Sequence, residues 1–361
     1  MDGRAAPKLD EGSPGMIEPD IAFACDAILP RPASRKLIIQ IPCYNEAGTL
    51  AIALDALPRT VPGFDVVEWL IIDDGSTDAT VAVARNAGAD HIVSHPVNRG
   101  LAAAFKTGLE TALSLGADVI VNTDADNQYD ASDIPTLTRP ILDREADMVV
   151  GARPINDTEH FSWLKKRLQG LGSWVVRAAS KTQIADAPSG FRAFTAEAAM
   201  RLNVFGSYTY TLETIIQAGL SDLKIVSVPI RTNPDLRPSR LVRSIPSYIR
   251  RSVGTIFHMF LIYRPLALFV GVGVAAITVG LVLGARFLYY LATGDGEGHI
   301  QSVILSALAI ILGSLTLVMA MVANLISVNR KLGEQILFRI RRLEQGRHAT
   351  EAASTIKQNQ Q

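Results

Sequence analysis

Two carboxylates two residues apart, Asp124 and Asp126, follow directly on the apolar run Val119 to Val121. Such a run reads as a buried strand, so the pair falls where a strand's carboxyl end opens onto a crevice. Both carboxylates can serve one ion if the chain turns at Asn127, a residue type that favours turns. Hard oxygen ligands suit Mg2+ or Mn2+, ions that keep several waters and bridge to substrate phosphates. The ligand implied by this chemistry is a diphosphate. An isolated D-x-D is also what a plain acidic turn after a strand looks like, so the surroundings must decide.

The surroundings repeat the pattern. Leu37 to Ile41, Val66 to Ile72, His91 to Ser94, Val119 to Val121 and Met148 to Val150 read as strands. Helical stretches from Thr49 to Leu57, Ala79 to Ala87 and Leu101 to Leu115 separate them, with Ser76 or Thr77 as the expected cap of the second. This alternation predicts an α/β fold with a mainly parallel, Rossmann-like sheet and helices on both faces. In such a sheet, polar strand ends converge on one edge. Pro42 to Glu46, Asp73 and Asp74, Asp124 to Gln128, and Gly151 to Arg153 are four such ends. Further on, a basic helical run (Phe161 to Ser180) leads to D-A-P-S-G-F-R-A-F, a helix over Tyr208 to Ala218, and a late strand over Ile225 to Ile230.

The chain has 361 residues, 48% of them apolar, and a formal net charge of zero. It is long enough for a full α/β core, and the charge balance argues against nucleic acid as a partner. Cys25 and Cys43 form no disulfide scaffold or zinc cluster, which fits a reducing compartment. Basic residues gather in two blocks, Arg231 to Arg264 and Arg330 to Arg347, on either side of the most apolar part of the chain. There, Pro265 to Ala285 and Ile300 to Asn329 carry no charge. At about 1.5 Å per residue, either run crosses the hydrocarbon of a bilayer. The connector holds only Asp295 and Glu297, so the positive-inside bias places both chain ends, and the α/β domain, in the cytoplasm. Just before the first span, Arg243 to Tyr263 carries an apolar stripe with Arg243, Arg250 and Arg251 off it, the pattern of a helix lying on an anionic bilayer surface. A G-x-G-x-x-A match at Gly271 to Ala276 has no strand before it and reads as small residues for close helix contact.

The expected organisation is a disordered cytosolic leader (1–34), an α/β domain (35–241), juxtamembrane amphipathic helices (242–264), a two-helix transmembrane hairpin (265–329) and a cytoplasmic tail (330–361), disordered from Gly346.

Five ordered blocks carry a family resemblance: I-P-C-Y-N-E (Ile41 to Glu46), D-D-G-S-T-D (Asp73 to Asp78), N-R-G (Asn98 to Gly100), D-A-D-N-Q (Asp124 to Gln128) and S-G-F-R (Ser189 to Arg192). From Lys36 to about Leu241 the chain resembles the family 2 glycosyltransferases of GT-A fold, in the branch of the dolichol-phosphate mannose and polyprenyl-phosphate glucose synthases. The resemblance implies that Pro42, Tyr44, Asn45, Glu46, Asp73 and Asp74 hold the nucleoside, with Asp124, Ala125, Asp126 and Gln128 completing the nucleotide-sugar site. Asp124 and Asp126, with Gln128, would hold Mn2+ or Mg2+. Arg153, Lys166 or Arg167, and Arg192 would meet the acceptor phosphate. In the last block the chain reads R-T-N-P-D-L-R-P-S-R where relatives often show G-x-S-K, which leaves Arg237 and Arg240 both open as a further phosphate ligand. Asp186 matches the acid proposed as a base in relatives. Some relatives are tetramers, so the resemblance also admits a homo-oligomer.

The implied reaction is inverting transfer of one sugar from a nucleotide diphosphate to a polyprenyl phosphate at a cell inner membrane, with Asp126, Asp186 and Arg153 at its centre. A phosphate monoester has its second pKa at about 6 and is already ionised at neutral pH. Asp186 therefore stands equally as a base or as a residue that orients the acceptor or tunes an arginine. Two other enzyme classes share the early blocks. A processive polysaccharide synthase would carry Q-x-x-R-W, and none of Trp69, Trp163 and Trp174 follows an Arg. A transferase to a glycan or glycolipid acceptor stays open. A non-enzymatic nucleotide-sugar scaffold would bind without turnover, against which the intact D-x-D argues.

Overall fold

The computed structural model describes residues 34–154, 184–204, 210–234, 254, 261, 265–294 and 300–359. The leader, the basic run around Lys166 and Arg167, and the candidates Arg237 and Arg240 lie outside these residues. So does the amphipathic juxtamembrane stretch, apart from Gly254 and Leu261, both helical.

Seven strands form one sheet in the order β3-β2-β1-β4-β6-β5-β7. They are β1 (Lys36–Cys43), β2 (Val66–Asp73), β3 (His91–Ser94), β4 (Val119–Asn122), β5 (Met148–Ala152), β6 (Arg192–Thr195) and β7 (Ile225–Pro229). All neighbours pair in parallel except β6, which runs antiparallel to both β4 and β5. The sheet is thus mainly parallel, as the alternation implied, with one inserted reversal.

The helices are α1 (Leu50–Asp55), α2 (Thr80–Asn86), α3 (Leu101–Ser114), α4 (Ile134–Leu142), α5 (Ala196–Arg201), α6 (Thr211–Leu220), α7 (Pro265–Ala292) and α8 (Ile300–Asn359). Both faces of the sheet are covered. Ile38 of β1 packs with Phe105 and Leu109 of α3 on one side, while Leu37 and Ile39 meet Leu50, Leu54, Ile134 and Leu137 on the other. This is why β1 is apolar at nearly every position: every residue from Leu37 to Cys43 is buried. Each such Ile or Leu contributes about 2 kcal/mol by leaving water. Gln40, the polar exception in β1, donates its amide to Asn122 Oδ1 of β4 at 2.9 Å. β1 and β4 are adjacent although not consecutive, so the strand order reverses between them and a crevice opens beyond their carboxyl ends.

The expected cap of α2 is replaced. The residue before the helix is Ala79, and Asp78 Oδ1 accepts from Thr80 N at 3.0 Å. Ser76 and Thr77 instead bind the Asn45 turn, through Asn45 N to Ser76 Oγ (2.9 Å) and Thr77 N to Asn45 Oδ1 (2.8 Å).

α7 and α8 are long and apolar enough to cross a membrane, with mean hydropathies of 2.6 and 2.5 over their most apolar parts. They pack closely because glycines face each other: a Cβ on Gly273 would lie 3.0 Å from Gly313 O, and one on Gly313 only 2.8 Å from Gly273 O. The small residues of the G-x-G-x-x-A match thus serve helix contact at Gly273, whereas Gly271 meets nothing. Ser306 Oγ adds a 2.6 Å bond to Gly280 O. α8 does not stop at Asn329; it continues through Gly346 to Asn359, where polar composition had argued for a disordered tail. Sixty residues make a rod of about 90 Å, three times the hydrocarbon thickness, so much of α8 stands outside any bilayer that its first part spans.

Candidate active site

The four polar strand ends do share one edge of the sheet. The Asp73 carboxylate, at the end of β2, accepts from Ser76 N at 2.9 Å and so closes the D-D-G-S turn. Asp74 is turned into the protein: Oδ1 accepts from His95 Nδ1 (2.7 Å) and Arg99 N (2.9 Å), and Oδ2 from Gly100 N (2.7 Å). A buried carboxylate with these partners holds the N-R-G loop in place. The role implied for Asp74, holding the nucleoside, is therefore corrected to holding the loop. On the β1 side, Asn45 sits at φ +54°, Glu46 accepts from Thr49 Oγ1 at 3.0 Å, Pro42 pairs with Ile72 in the sheet, and Tyr44 is exposed.

β4 delivers Asp124 and Asp126 to the crevice, and the expected turn is present. Asn127 has φ +57°, and Asp126 Oδ1 accepts from Gln128 N at 3.2 Å. Ala125 between them is buried in the core, so only its backbone can meet a ligand. Burial, and then the neighbouring Asp126 carboxylate, push Asp124 up to about 7, against the pull of Arg153. The pull of Arg153 and Arg192 does not offset burial and the repulsion between the two carboxylates, and a divalent cation would. Among the described residues no group of three or more His, Cys, Asp or Glu side chains can hold a metal by itself. A carboxylate pair with open coordination fits Mg2+ or Mn2+ shared with a diphosphate.

Behind Asp124 lies a wall built from Gly190 of the S-G-F-R block and from Asn122, Tyr129 and Tyr210, which the motifs did not single out. A Cβ on Gly190 would lie 3.1 Å from both Asp124 oxygens and 3.0 Å from the Tyr210 hydroxyl, so any larger residue would have to push these groups aside. Its peptide is held on both sides: Gly190 N donates to Tyr129 OH (2.9 Å), and Asn122 Nδ2 donates to Gly190 O (2.9 Å) and to Tyr210 OH (2.8 Å). Tyr129 is pushed up to about 12 by burial and by Asp124, so it stays protonated. Tyr210 stacks on Phe105 with centroids 3.8 Å apart. The signal for Asn122 was a polar residue ending an apolar strand; Tyr210 carried none.

Arg153 and Asp186 come together although 33 residues apart in sequence. Arg153 Nε donates to Asp186 Oδ2 at 2.7 Å, Nη2 to Oδ1 at 3.1 Å, and Arg153 N to Oδ2 at 3.3 Å. Asp186 is fully buried, while its arginine partner keeps some exposure. Burial works against the Arg153 charge, but Tyr129, Asp186 and Asp124 together hold the guanidinium above its ordinary range.

Arg192 does something other than expected. It is fully buried, with Nε on Ser189 O (2.8 Å), Nη1 on Thr211 O (2.8 Å) and Thr214 Oγ1 (2.6 Å), and Nη2 on Ala187 O (2.7 Å). All three nitrogens are engaged, so Arg192 is not a phosphate ligand. It pins the S-G-F-R turn to α6 and thereby fixes Gly190.

The glycosyl transferase family 2 model matches residues 38–207, the segment that carries β1 to β6 and the Asp124 crevice. An uncharacterized protein of Methanocaldococcus jannaschii is 30% identical over 204 residues, covering 55% of this chain and 81% of that one. This chain belongs to glycosyl transferase family 2. An undecaprenyl-phosphate mannosyltransferase of Micrococcus luteus is 29% identical over 205 residues, covering 54% of this glycosyltransferase and 82% of the relative. In fold, the chain is similar to glucosyl-3-phosphoglycerate synthase from Mycobacterium tuberculosis, solved with Mn2+, uridine diphosphate and glucosyl-3-phosphoglycerate. The TM-score is 0.50 at 22% identity, over 63% of this chain and 80% of that one. The catalytic domain is thus GT-A in fold, followed by two long apolar helices that support membrane association.

Proposed function

We propose that this glycosyltransferase moves a single sugar from a nucleotide diphosphate to a polyprenyl phosphate at the cytoplasmic face of the membrane, with inversion at the anomeric carbon. The observation that carries this reading is a carboxylate pair at a GT-A switch point in the same chain as two charge-free spans. The Micrococcus luteus relative, whose name gives undecaprenyl phosphate as acceptor, supports it.

Asp124 and Asp126 would hold Mn2+ or Mg2+, which when bound supplies Lewis acidity to the departing diphosphate. The remaining work falls to the chain's own groups. Asp73, Asn45 and Glu46 shape the nucleoside end of the crevice. Arg153, oriented by Asp186, offers the Nη1 edge of its guanidinium, which lies outside the fork to Asp186, to the acceptor phosphate. The acceptor oxygen is ionised at neutral pH and needs no strong base. A carboxylate already forked by an arginine is a poor one, so Asp186 acts as the residue that positions Arg153. A membrane anchor suits this acceptor, because a polyprenyl chain leaves the bilayer only at high cost, and the basic blocks beside the spans attract anionic headgroups.

The test is direct. Membranes carrying the chain are incubated with radiolabelled nucleotide sugars, undecaprenyl phosphate and Mn2+ or Mg2+. Label should pass into organic solvent as a product whose mass is polyprenyl phosphate plus one sugar. Label confined to a water-soluble glycan would instead assign the enzyme to glycan acceptors.

A further inference from the structure

The turn that carries Asp126 is held from outside by a segment distant in sequence. Just after β7, Thr232 pairs with Tyr129 in an antiparallel bridge, and Asp130 N donates to Arg231 O at 3.2 Å. Asn233 makes the rest of the contact: its backbone N donates to Gln128 O at 2.9 Å, and its side-chain Nδ2 to Asn127 O at 3.0 Å and Tyr129 O at 3.3 Å. Three successive carbonyls of the metal-side turn therefore end on one residue.

Both acceptors of the Asn233 side chain are carbonyls, so its amide nitrogen, not its oxygen, must face them. The turn needs such a hold. Asn127 sits at φ +57°, a left-handed conformation that asparagine tolerates but that leaves the carbonyls of Asn127, Gln128 and Tyr129 outside any helix or strand ladder, so the bonds from Asn233 are what fix them. If the turn relaxed, Asp126 would swing away from Asp124 and the carboxylate pair would open.

We propose that Asn233 is a positioning residue that keeps Asp126 in register with Asp124 for the divalent ion. The inference rests on the carboxylate pair being the metal site. Asn233 lies in R-T-N-P, the block in which this chain departs from the pattern it otherwise resembles, so no motif marks it. Asn233→Asp is the informative variant: it keeps the size of the side chain and the backbone bond, but an ionised carboxylate has no hydrogen to donate and would face two carbonyl oxygens.

The experiment uses the full chain in detergent, titrated with Mn2+ alone, the free ion being followed by its paramagnetic resonance. Asn233→Asp and Asn233→Ala should both weaken Mn2+ binding by roughly 10- to 100-fold, the range seen when an outer partner of a metal ligand is lost. Turnover should return towards the wild-type rate at saturating Mn2+. Arg231→Ala, which breaks the neighbouring ion pair with Asp133 but leaves the carbonyl contacts, should bind Mn2+ as the wild type does. Wild-type affinity in both Asn233 variants overturns the proposal. So does an equal loss in Arg231→Ala, which marks general loosening of the strap. If Asn233→Ala melts early, Asn233→Asp decides alone. Should the wild-type chain itself bind no Mn2+, the metal-site reading falls and this inference with it.

Discussion

At the level of single residues, charge placement decides which side chains face the ligand and which hold the frame. If Asp124 and Asp126 are the metal ligands, Asp126→Asn removes one of the two, and among the described residues no group of three or more such side chains can hold the ion, so turnover should fall by more than the roughly 10- to 100-fold typical of outer-shell losses. A wild-type rate at saturating Mn2+ would remove Asp126 from the metal site. Asp124 adds a pH signature. Its folded-state value of about 7 lies above the ordinary carboxylate value of about 4. In the metal-free protein, the stabilisation from this raised pKa is fully present below about pH 4 and is lost as pH rises through about 7. Asp124→Asn has no proton to lose, so its melting temperature should gain on the wild type between pH 5 and 8. An offset independent of pH would contradict the assigned burial. Mn2+ must displace that proton, so its affinity for the wild type should weaken as pH drops below about 7. Arg192 behaves differently again. Arg192→Met leaves the carbonyls of Ser189 and Ala187 without their guanidinium donors and should cost about 3 kcal/mol in stability, with no separate effect on acceptor KM in whatever folds.

Among the elements, the short reversed strand β6 and the turn before it bring Gly190 against Asp124. Gly190→Ala forces a methyl to within 3.1 Å of both carboxylate oxygens and 3.0 Å of the Tyr210 hydroxyl. Asp124 must shift, and Mn2+ affinity should drop by roughly tenfold or more while the protein stays folded. Unchanged Mn2+ binding would mean that the wall does not set the carboxylate. This element also marks where sequence reasoning stopped. β1, β2, β4 and β5 were legible because strands covered on both faces are written as continuous apolar runs, and the crevice followed from their polar ends. β6 is four residues long and begins with a charged Arg192, whose burial is offset by acceptors contributed from α6, information that no local window holds. Asp74 was misread for a related reason: a motif shows that a carboxylate is needed, but not that its partners are the backbone of Arg99 and Gly100, 25 and 26 residues on. The continuous α8 was hidden by composition, because polar residues after a span are compatible with either a tail or a solvated helix.

On the scale of the whole molecule, α8 ties the apolar hairpin to the catalytic domain. Arg341 lies about 60 Å along the helix from Ile300, well beyond a hydrocarbon layer of about 30 Å. There it donates Nη1 to Met200 O (2.9 Å) and Leu202 O (3.2 Å) at the end of α5, and Nη2 to Glu110 of α3 (3.3 Å). Phe338, one turn earlier, packs on the core beneath α3, and the Arg201 guanidinium lies 4.9 Å from its ring. A guanidinium closing the carbonyl end of a helix satisfies acceptors that the helix leaves open, and the adjacent aromatic excludes water from the contact. Removing Arg341 leaves the crevice intact, since none of these partners belongs to it. Arg341→Ala should therefore lower the stability of the docked state by about 2 kcal/mol and leave Mn2+ and nucleotide binding unchanged. On the proposed lipid acceptor, transfer to undecaprenyl phosphate in vesicles should nevertheless slow, since in that reading α8 would hold the crevice at one height and tilt above the lipid. The measurement that separates the two effects is amide exchange over Ala196–Arg201 alongside turnover with the lipid acceptor. Faster exchange with unchanged transfer would show that docking stabilises the domain without orienting it, whereas a parallel change in both would make α8 the strut that presents the active site to its acceptor.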